Sequence, residues 1–342
     1  MAHGKTTDGR EGMTLIVPGR RCRHKPMQWY EVPWKYMFSA VYVKNRTMND
    51  LKFWWYKVLN LGQDDPILPI NDYLLQLDLN DIGIVKGLVY PRGREFFSSE
   101  YLSGILTEKD VVYDIGANIG YYAIMDARKA GHVVAVEPIP KNCVNLVRNF
   151  ELNDLTNYEL HQCALGDKNG EETFYVNAAS NWSSFIKPTY GKVIAEIKVP
   201  VMTLDSLVEK TGREPTFIRM DVEGYEYNVI DGAKKTLERN PDLRLFIEMH
   251  PTMDWLNRFE MLTYLRDKGY EIQKLFLEPE SWNFRSMNLL NWLGDKFGFP
   301  GYGEHTTSYA ELDNMLKNKC CPEVFFLRRR SEGEPCTVSH RT

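Results

Sequence analysis

The stretch from Val111 to Glu137 restricts the fold of this chain more than any other. Four residues of buried strand character, Val111-Val112-Tyr113-Asp114, run straight into a turn carrying Gly116, Asn118 and Gly120. A helical pattern follows from about Tyr121 to Lys129, and then a second apolar strand, Val133-Val134-Ala135-Val136, that stops at Glu137. Glycine supplies positive φ and lets backbone approach backbone or ligand closely. A strand, a tight turn and a helix in that order open a parallel β–α–β unit.

The alternation continues from about 108 to 278. Helix Lys141 to Asn153, strand Tyr158 to Cys163, strands Glu171 to Val176 and Glu196 to Thr203, strand Thr216 to Met220, helix Tyr225 to Arg239, strand Leu243 to Glu248, helix Trp255 to Lys268 and strand Glu271 to Leu277 are expected in turn. Upstream, Tyr73 to Leu79 and Ile84 to Tyr90 read as a hairpin, with a helix from Ser98 to Leu106. The expected organisation is an accessory, aromatic-rich region over 1–75 and a catalytic-type domain over 76–342. That domain has its core at 108–278, an insertion or lid at 279–322 and a last strand at about 324–328. The 342 residues fit one large α/β domain with additions or two modest ones.

Composition removes some classes. With 42 basic and 46 acidic residues the net charge is -4, so the chain lacks the basic excess of a protein that holds nucleic acid by its phosphates. No run approaches the roughly 18 apolar residues of a membrane span. Cys22, Cys143, Cys163, Cys320, Cys321 and Cys336 form neither a C-x-x-C pair nor a zinc spacing, and a reducing, cytoplasmic setting is expected. The basic cluster Arg20 to Lys25 reads as a solvated loop. The aromatic N-terminal region is left with three roles: binding substrate, closing the site or making a homo-oligomer.

The turn departs from the dinucleotide fingerprint. Its spacing is Gly116-Ala117-Asn118-Ile119-Gly120, with Asp114 two residues before the first glycine. An acid there repels a pyrophosphate but can accept a hydrogen bond from an ammonium group. The N–H groups at the start of the following helix suit a carboxylate. Glu137 lies about 20 residues on, where an acid accepts hydrogen bonds from ribose hydroxyls. Both acids are accounted for by one ligand, S-adenosyl-L-methionine, with Asp114, Gly116, Ala117, Asn118, Gly120 and Glu137 as its seat. A nicotinamide-dependent (NAD) oxidoreductase on a similar sheet and a non-catalytic cofactor-binding protein are the alternatives.

Five motifs in order carry a specific likeness: Asp114 to Tyr122, Val136-Glu137-Pro138, Ala164-Leu165-Gly166-Asp167, Asp221-Val222-Glu223-Gly224-Tyr225-Glu226 and Glu248-Met249-His250-Pro251. Over about 80 to 278 the chain resembles the FkbM-type methyltransferase family. The resemblance implies a Rossmann-like, class I methyltransferase fold, a seven-stranded, mostly parallel sheet with helices on both faces. It also implies S-adenosyl-L-methionine as cofactor and methylation of hydroxyl oxygens, on sugars, glycans or similar hydroxylated small molecules. Pro138, Asn142, Ala164, Leu165 and Asp221 join the candidate cofactor contacts. The chain departs from the family at Arg219, where lysine is common before Met-Asp-Val-Glu-Gly.

Ligands of open α/β sheets bind beyond the carboxyl ends of the strands. Asp221, Glu223, Glu248 and His250 all follow such ends. An alcohol needs a base as it attacks the sulfonium, and His250 is the candidate, with Asp221 or Glu248 as orienting partner or substitute base. Asp221, Glu223 and Glu248 can instead hold a hard divalent cation such as Mg²⁺. Glu226 reads as a first-turn acid complementing the helix dipole. The polar loop Ala178 to Phe185 offers Asn181 and Ser184, with Glu223, as substrate contacts.

Overall fold

Val112 to Ile115 is buried along its whole length, as strands covered on both faces must be, and it lies at the centre of the main sheet. The computed structural model describes residues 50–59, 65–81, 83–89, 94–187, 192–277, 303–305, 307–317 and 322–328. Most of the expected accessory region and of the 279–322 insertion lies outside these residues.

The upstream elements are β1 (Ile67–Ile70), β2 (Tyr73–Gln76), α1 (Ile84–Val89) and α2 (Phe96–Ile105). The first half of the core runs β3 (Val111–Ile115), α3 (Tyr121–Ala127), β4 (His132–Val136), α4 (Pro140–Leu152) and β5 (Tyr158–His161). Next come β6 (Ala164–Leu165), β7 (Gly170–Asn177), β8 (Val193–Met202), α5 (Leu204–Thr211), β9 (Phe217–Met220), α6 (Glu226–Asp231) and α7 (Lys234–Arg239). The chain then forms β10 (Arg244–Glu248), α8 (Trp255–Asp267), β11 (Tyr270–Leu277), β12 (Gly303–His305), α9 (Tyr309–Lys317) and β13 (Glu323–Arg328).

The main sheet has the order β12-β11-β13-β10-β9-β3-β4-β5. Pairing is parallel from β5 through β10, and β13 is inserted antiparallel between β10 and β11. The seven expected strands are therefore present, and three-residue β12 adds an eighth at the β11 edge. Successive side chains of a strand point to opposite faces, which divides the core in two. Tyr113, Ile115, Val134, Ile218 and Leu245 pack with α5 to α9 on one face. Val112, Val133, Ala135, Phe217 and Phe246 pack with α1 to α4 and the β1–β2 hairpin on the other. A separate sheet, β6-β8-β7, hangs off the end of β5. Among the described residues no helix is long and apolar enough to cross a membrane.

Three local expectations are corrected. Tyr73–Gln76 pairs with Ile67–Ile70 rather than with the segment at 84, because Asn71 takes the positive φ, 52°, that a tight hairpin turn needs. Ile84–Val89 is a helix: Ile84, Val85, Leu88 and Val89 are buried at the i, i+1, i+4, i+5 spacing of a single helical face. The outer edge of β2 is closed by side chains of α4, with Asn149 Oδ1 accepting from the Gln76 N–H at 2.7 Å and Asn153 Oδ1 from the Leu74 N–H at 2.9 Å. The helix expected over 225–239 is split at Gly232, where a Cβ would lie 2.0 Å from the Gly166 carbonyl oxygen.

Candidate active site

The carboxyl ends of β3, β4 and β9 open on a cavity lined by Ala117, Asn118, Glu137, Leu165, Asp221 and Glu223. Its floor is the turn after β3, where Gly116, Asn118 and Gly120 have φ of 86°, 50° and 94°. Gly116 is glycine for a second reason. A Cβ there would lie 2.0 Å from the Asp221 carbonyl oxygen, so the turn and the end of β9 are packed backbone on backbone. Gly116→Ala is expected to cost at least about 3 kcal/mol, summing left-handed strain and a clash with main chain that cannot swing aside. Thermal unfolding checks it, and a melting temperature like the parent's would contradict this view of the turn.

The expected anion donors are the N–H groups at the start of α3, and those of the turn before it are engaged within the protein. Gly116 and Ala117 both donate to the Val136 carbonyl, at 2.9 and 3.0 Å, and the Asn118 N–H donates to Glu137 Oε2 at 3.0 Å. Glu137 is only 4 % exposed. Its Oε1 accepts from the Ile139 N–H at 3.0 Å and from Asn142 Nδ2 at 3.1 Å. Burial nonetheless pushes its carboxyl up to about 7. A carboxylate has about four acceptor positions; three are used, and one remains for a hydroxyl. Asn142 thus orients Glu137, and Pro138, Ala164 and Leu165 line the cavity directly.

Asp114 lies beneath the cavity, fully buried. Arg219 bridges it to Asp221, with Nη1 3.4 Å from Asp114 Oδ1 and Nη2 3.3 Å from Asp221 Oδ2, while the guanidinium lies 4.1 Å from the Tyr122 ring centroid. Burial raises the Asp114 carboxyl despite Arg219. The opposite charge that Asp114 was expected to find in a ligand is supplied by the protein itself.

Past the ends of β9 and β10 an imidazole sits among four acids. His250, 6 % exposed, has Nδ1 2.6 Å from Glu226 Oε1, which also accepts from the Gly224 N–H at 3.0 Å. Its Nε2 faces Glu223 at 3.4 Å, Glu248 at 3.6 Å and Asp221 at 3.8 Å. Burial is the main cause that pushes the Glu223 carboxyl up to about 8 and holds Glu248 well above its ordinary range. The orienting partner of His250 is therefore Glu226, a residue that resembled any first-turn acid in the sequence. Asp221, Glu223 and His250 bring one ligand atom each within 4.8 Å of the others, so the metal-capable triad contains His250 where Glu248 was expected. Glu248 groups in the same way with Glu95 and Glu323.

Of the loop residues, Asn181 lines the cavity. Ser184 braces the backbone instead, donating to the Glu223 carbonyl at 3.0 Å and accepting from the Ile186 N–H at 3.1 Å. Among the charged residues that line the cavity, Arg94 and Glu95 were missed by sequence reasoning altogether. Tyr121 and Tyr122 also line it.

Residues 114–272 match the model of the methyltransferase FkbM domain. A "Methyltransferase 1" of Beauveria bassiana is 25% identical over 142 residues, 35% of this chain and 57% of that protein. The hexuronic acid methyltransferase AglP of Haloferax volcanii is 32% identical over 136 residues, 38% of this chain and 53% of that protein. The chain thus spans little more than half the length of these relatives. Among solved structures, a methyltransferase FkbM from Methylobacillus flagellatus aligns at TM-score 0.35 and 17% identity, over 70% of this chain and 47% of that one. The M. jannaschii TYW2 complex with AdoMet aligns at TM-score 0.38 and 16% identity, over 78% and 88%.

Proposed function

We propose that this chain, whose residues 114–272 match the methyltransferase FkbM domain, transfers the methyl group of S-adenosyl-L-methionine to a hydroxyl of a sugar, a glycan or a similar hydroxylated small molecule. One observation carries the reading: a single cavity is lined by Glu137, a buried carboxylate with a spare acceptor position, and by Asp221 and Glu223, and His250 Nε2 faces these two acids at 3.8 and 3.4 Å. The cofactor residues fit the group, since Gly116, Ala117 and Asn118 line the cavity beside Glu137, which can take a ribose hydroxyl. The relative from Haloferax volcanii supports a sugar as acceptor.

The cofactor supplies an electrophilic methyl on a sulfonium. As the acceptor oxygen takes that methyl, His250 Nε2 would take the hydroxyl proton. Glu226 keeps Nδ1 protonated, so Nε2 carries the lone pair, and it stabilises the imidazolium that results. Asp221, kept an anion by Arg219 and then His250, faces Nε2 at 3.8 Å and receives the positive charge as it forms. A divalent cation is a second reading, favoured by the convergence of Asp221, Glu223 and His250; under it, Nε2 would be a ligand and turnover would vanish on exhaustive chelation and return with Mg²⁺.

Titration calorimetry separates the classes. Binding of S-adenosyl-L-methionine without binding of a nicotinamide dinucleotide is expected, followed by S-adenosylhomocysteine release on adding a glycan mixture. Tight nicotinamide dinucleotide binding alone would make the chain an oxidoreductase, and cofactor binding without turnover on any hydroxylated acceptor would make it a non-catalytic binder.

A further inference from the structure

Seating S-adenosyl-L-methionine leaves the zwitterionic end of the ligand to be explained. A carboxylate and an ammonium on one carbon need a donor and an acceptor of opposite charge side by side. The residues expected to serve are otherwise engaged. The N–H groups of Gly116, Ala117 and Asn118 are taken by Val136 and Glu137, and Asp114 is covered by Arg219 and does not line the cavity.

Arg94 and Glu95 do line it. They form a pair, with Arg94 Nη2 2.6 Å and Nε 3.0 Å from Glu95 Oε1, and the Arg94 side chain stays 24% exposed. The backbone beneath them is clamped to the first residue of α3, immediately after the glycine turn. The Tyr121 hydroxyl donates to the Arg94 carbonyl at 2.6 Å and accepts from the Arg94 N–H at 3.1 Å. Glu95 is held at φ 48° and ψ 56°, a left-handed conformation that a glutamate adopts only where its surroundings impose it, and such residues gather at ligand sites. Burial alone would raise the Glu95 carboxyl, but Arg94 and then Arg219 hold it below the usual carboxylate range, so it remains an anion. Arg219 and Asp221 also reach the cavity, yet that guanidinium is divided between two carboxylates and lies over the Tyr122 ring.

We propose that Arg94 and Glu95 form the subsite for the amino-acid end of the cofactor, the guanidinium taking the carboxylate and the Glu95 carboxylate taking the ammonium. Their mutual ion pair holds both groups in place before binding, and the zwitterion inserts alongside it. The proposal rests on the reading of this cavity as a cofactor site.

Two probes test it on the full chain by calorimetry: S-adenosylhomocysteine, which has the amino-acid end, and 5′-methylthioadenosine, which lacks it. In Arg94→Met, S-adenosylhomocysteine is expected to bind at least ~30-fold more weakly, as for loss of one partner of a buried charged pair, and in the near-isosteric Glu95→Gln at least ~10-fold more weakly. Methylthioadenosine should bind both variants within about twofold of the parent, which also shows that they fold. The proposal is overturned if either variant keeps parental affinity for S-adenosylhomocysteine, or if both probes weaken equally. It is also overturned if Arg94→Met raises only the KM of the acceptor. A parent chain that binds neither probe would instead remove the cofactor reading itself.

Discussion

Replacing His250 by alanine is expected to lower methyl-transfer turnover by about 10³-fold while S-adenosyl-L-methionine binds as before, within the usual range for loss of a general base. The separation follows from geometry. Glu137 and the glycine turn, the proposed cofactor seat, follow β4 and β3, whereas His250 follows β10 and is held by Glu226 of α6. Single-turnover methyl transfer and cofactor titration on the same preparation check both halves. Turnover within about tenfold of the parent would exclude His250 as the base. Glu226→Gln should cost at least about 10²-fold, because an amide can donate to Nδ1 and so favours the wrong tautomer. If Glu226 served only to cap its helix, that change would alter stability and leave turnover alone.

The second large effect concerns stability. Arg219→Met is expected to destabilise the fold by about 3–5 kcal/mol at neutral pH, as for removal of one partner from a buried ion network. Asp114 and Asp221 would be left close together with no guanidinium between them. Burial already raises Asp114, and Asp221 is kept below its usual range, against its own burial, by Arg219 and then His250. Without Arg219 both carboxyls rise, so the folded state binds protons that the unfolded chain has released. The penalty must therefore grow as pH rises above the unfolded carboxylate range and shrink in acid. Denaturant melts at pH 5 and pH 8 read this sign, and a pH-independent loss would point to packing over Tyr122 instead. Adding Asp114→Asn should recover at least about 1 kcal/mol, a coupling that two independent sites would not show.

What could be read from residues alone was whatever left a local mark. The glycine turn, Glu137 and the acids and His250 after β9 and β10 all occupy strand ends, a place defined by the strand pattern itself. Pairings across the fold left no such mark. Arg219 meets Asp114 across 105 positions of sequence. Glu226 meets His250 across 24, and nothing in its local pattern separates it from a residue that merely favours a helix start. Arg94 and Glu95 follow no strand and belong to no periodic pattern, so only the closing of α3 against them reveals their place. The β1–β2 hairpin was misread because its turn hangs on one asparagine conformation, and the helix at Ile84 because six residues are too few to separate a helical from a strand period.

The contact of Gly116 with the Asp221 carbonyl has a consequence for how such a protein can diversify. The proposed donor seat and acceptor cluster are joined through main chain, so no side-chain change can lengthen or shorten the reach between them. New acceptors must be accommodated from the opposite wall, where the strand pair β7–β8 and its connecting loop lie outside the central sheet. Breadth of substrate would then evolve there, with the chemistry left untouched.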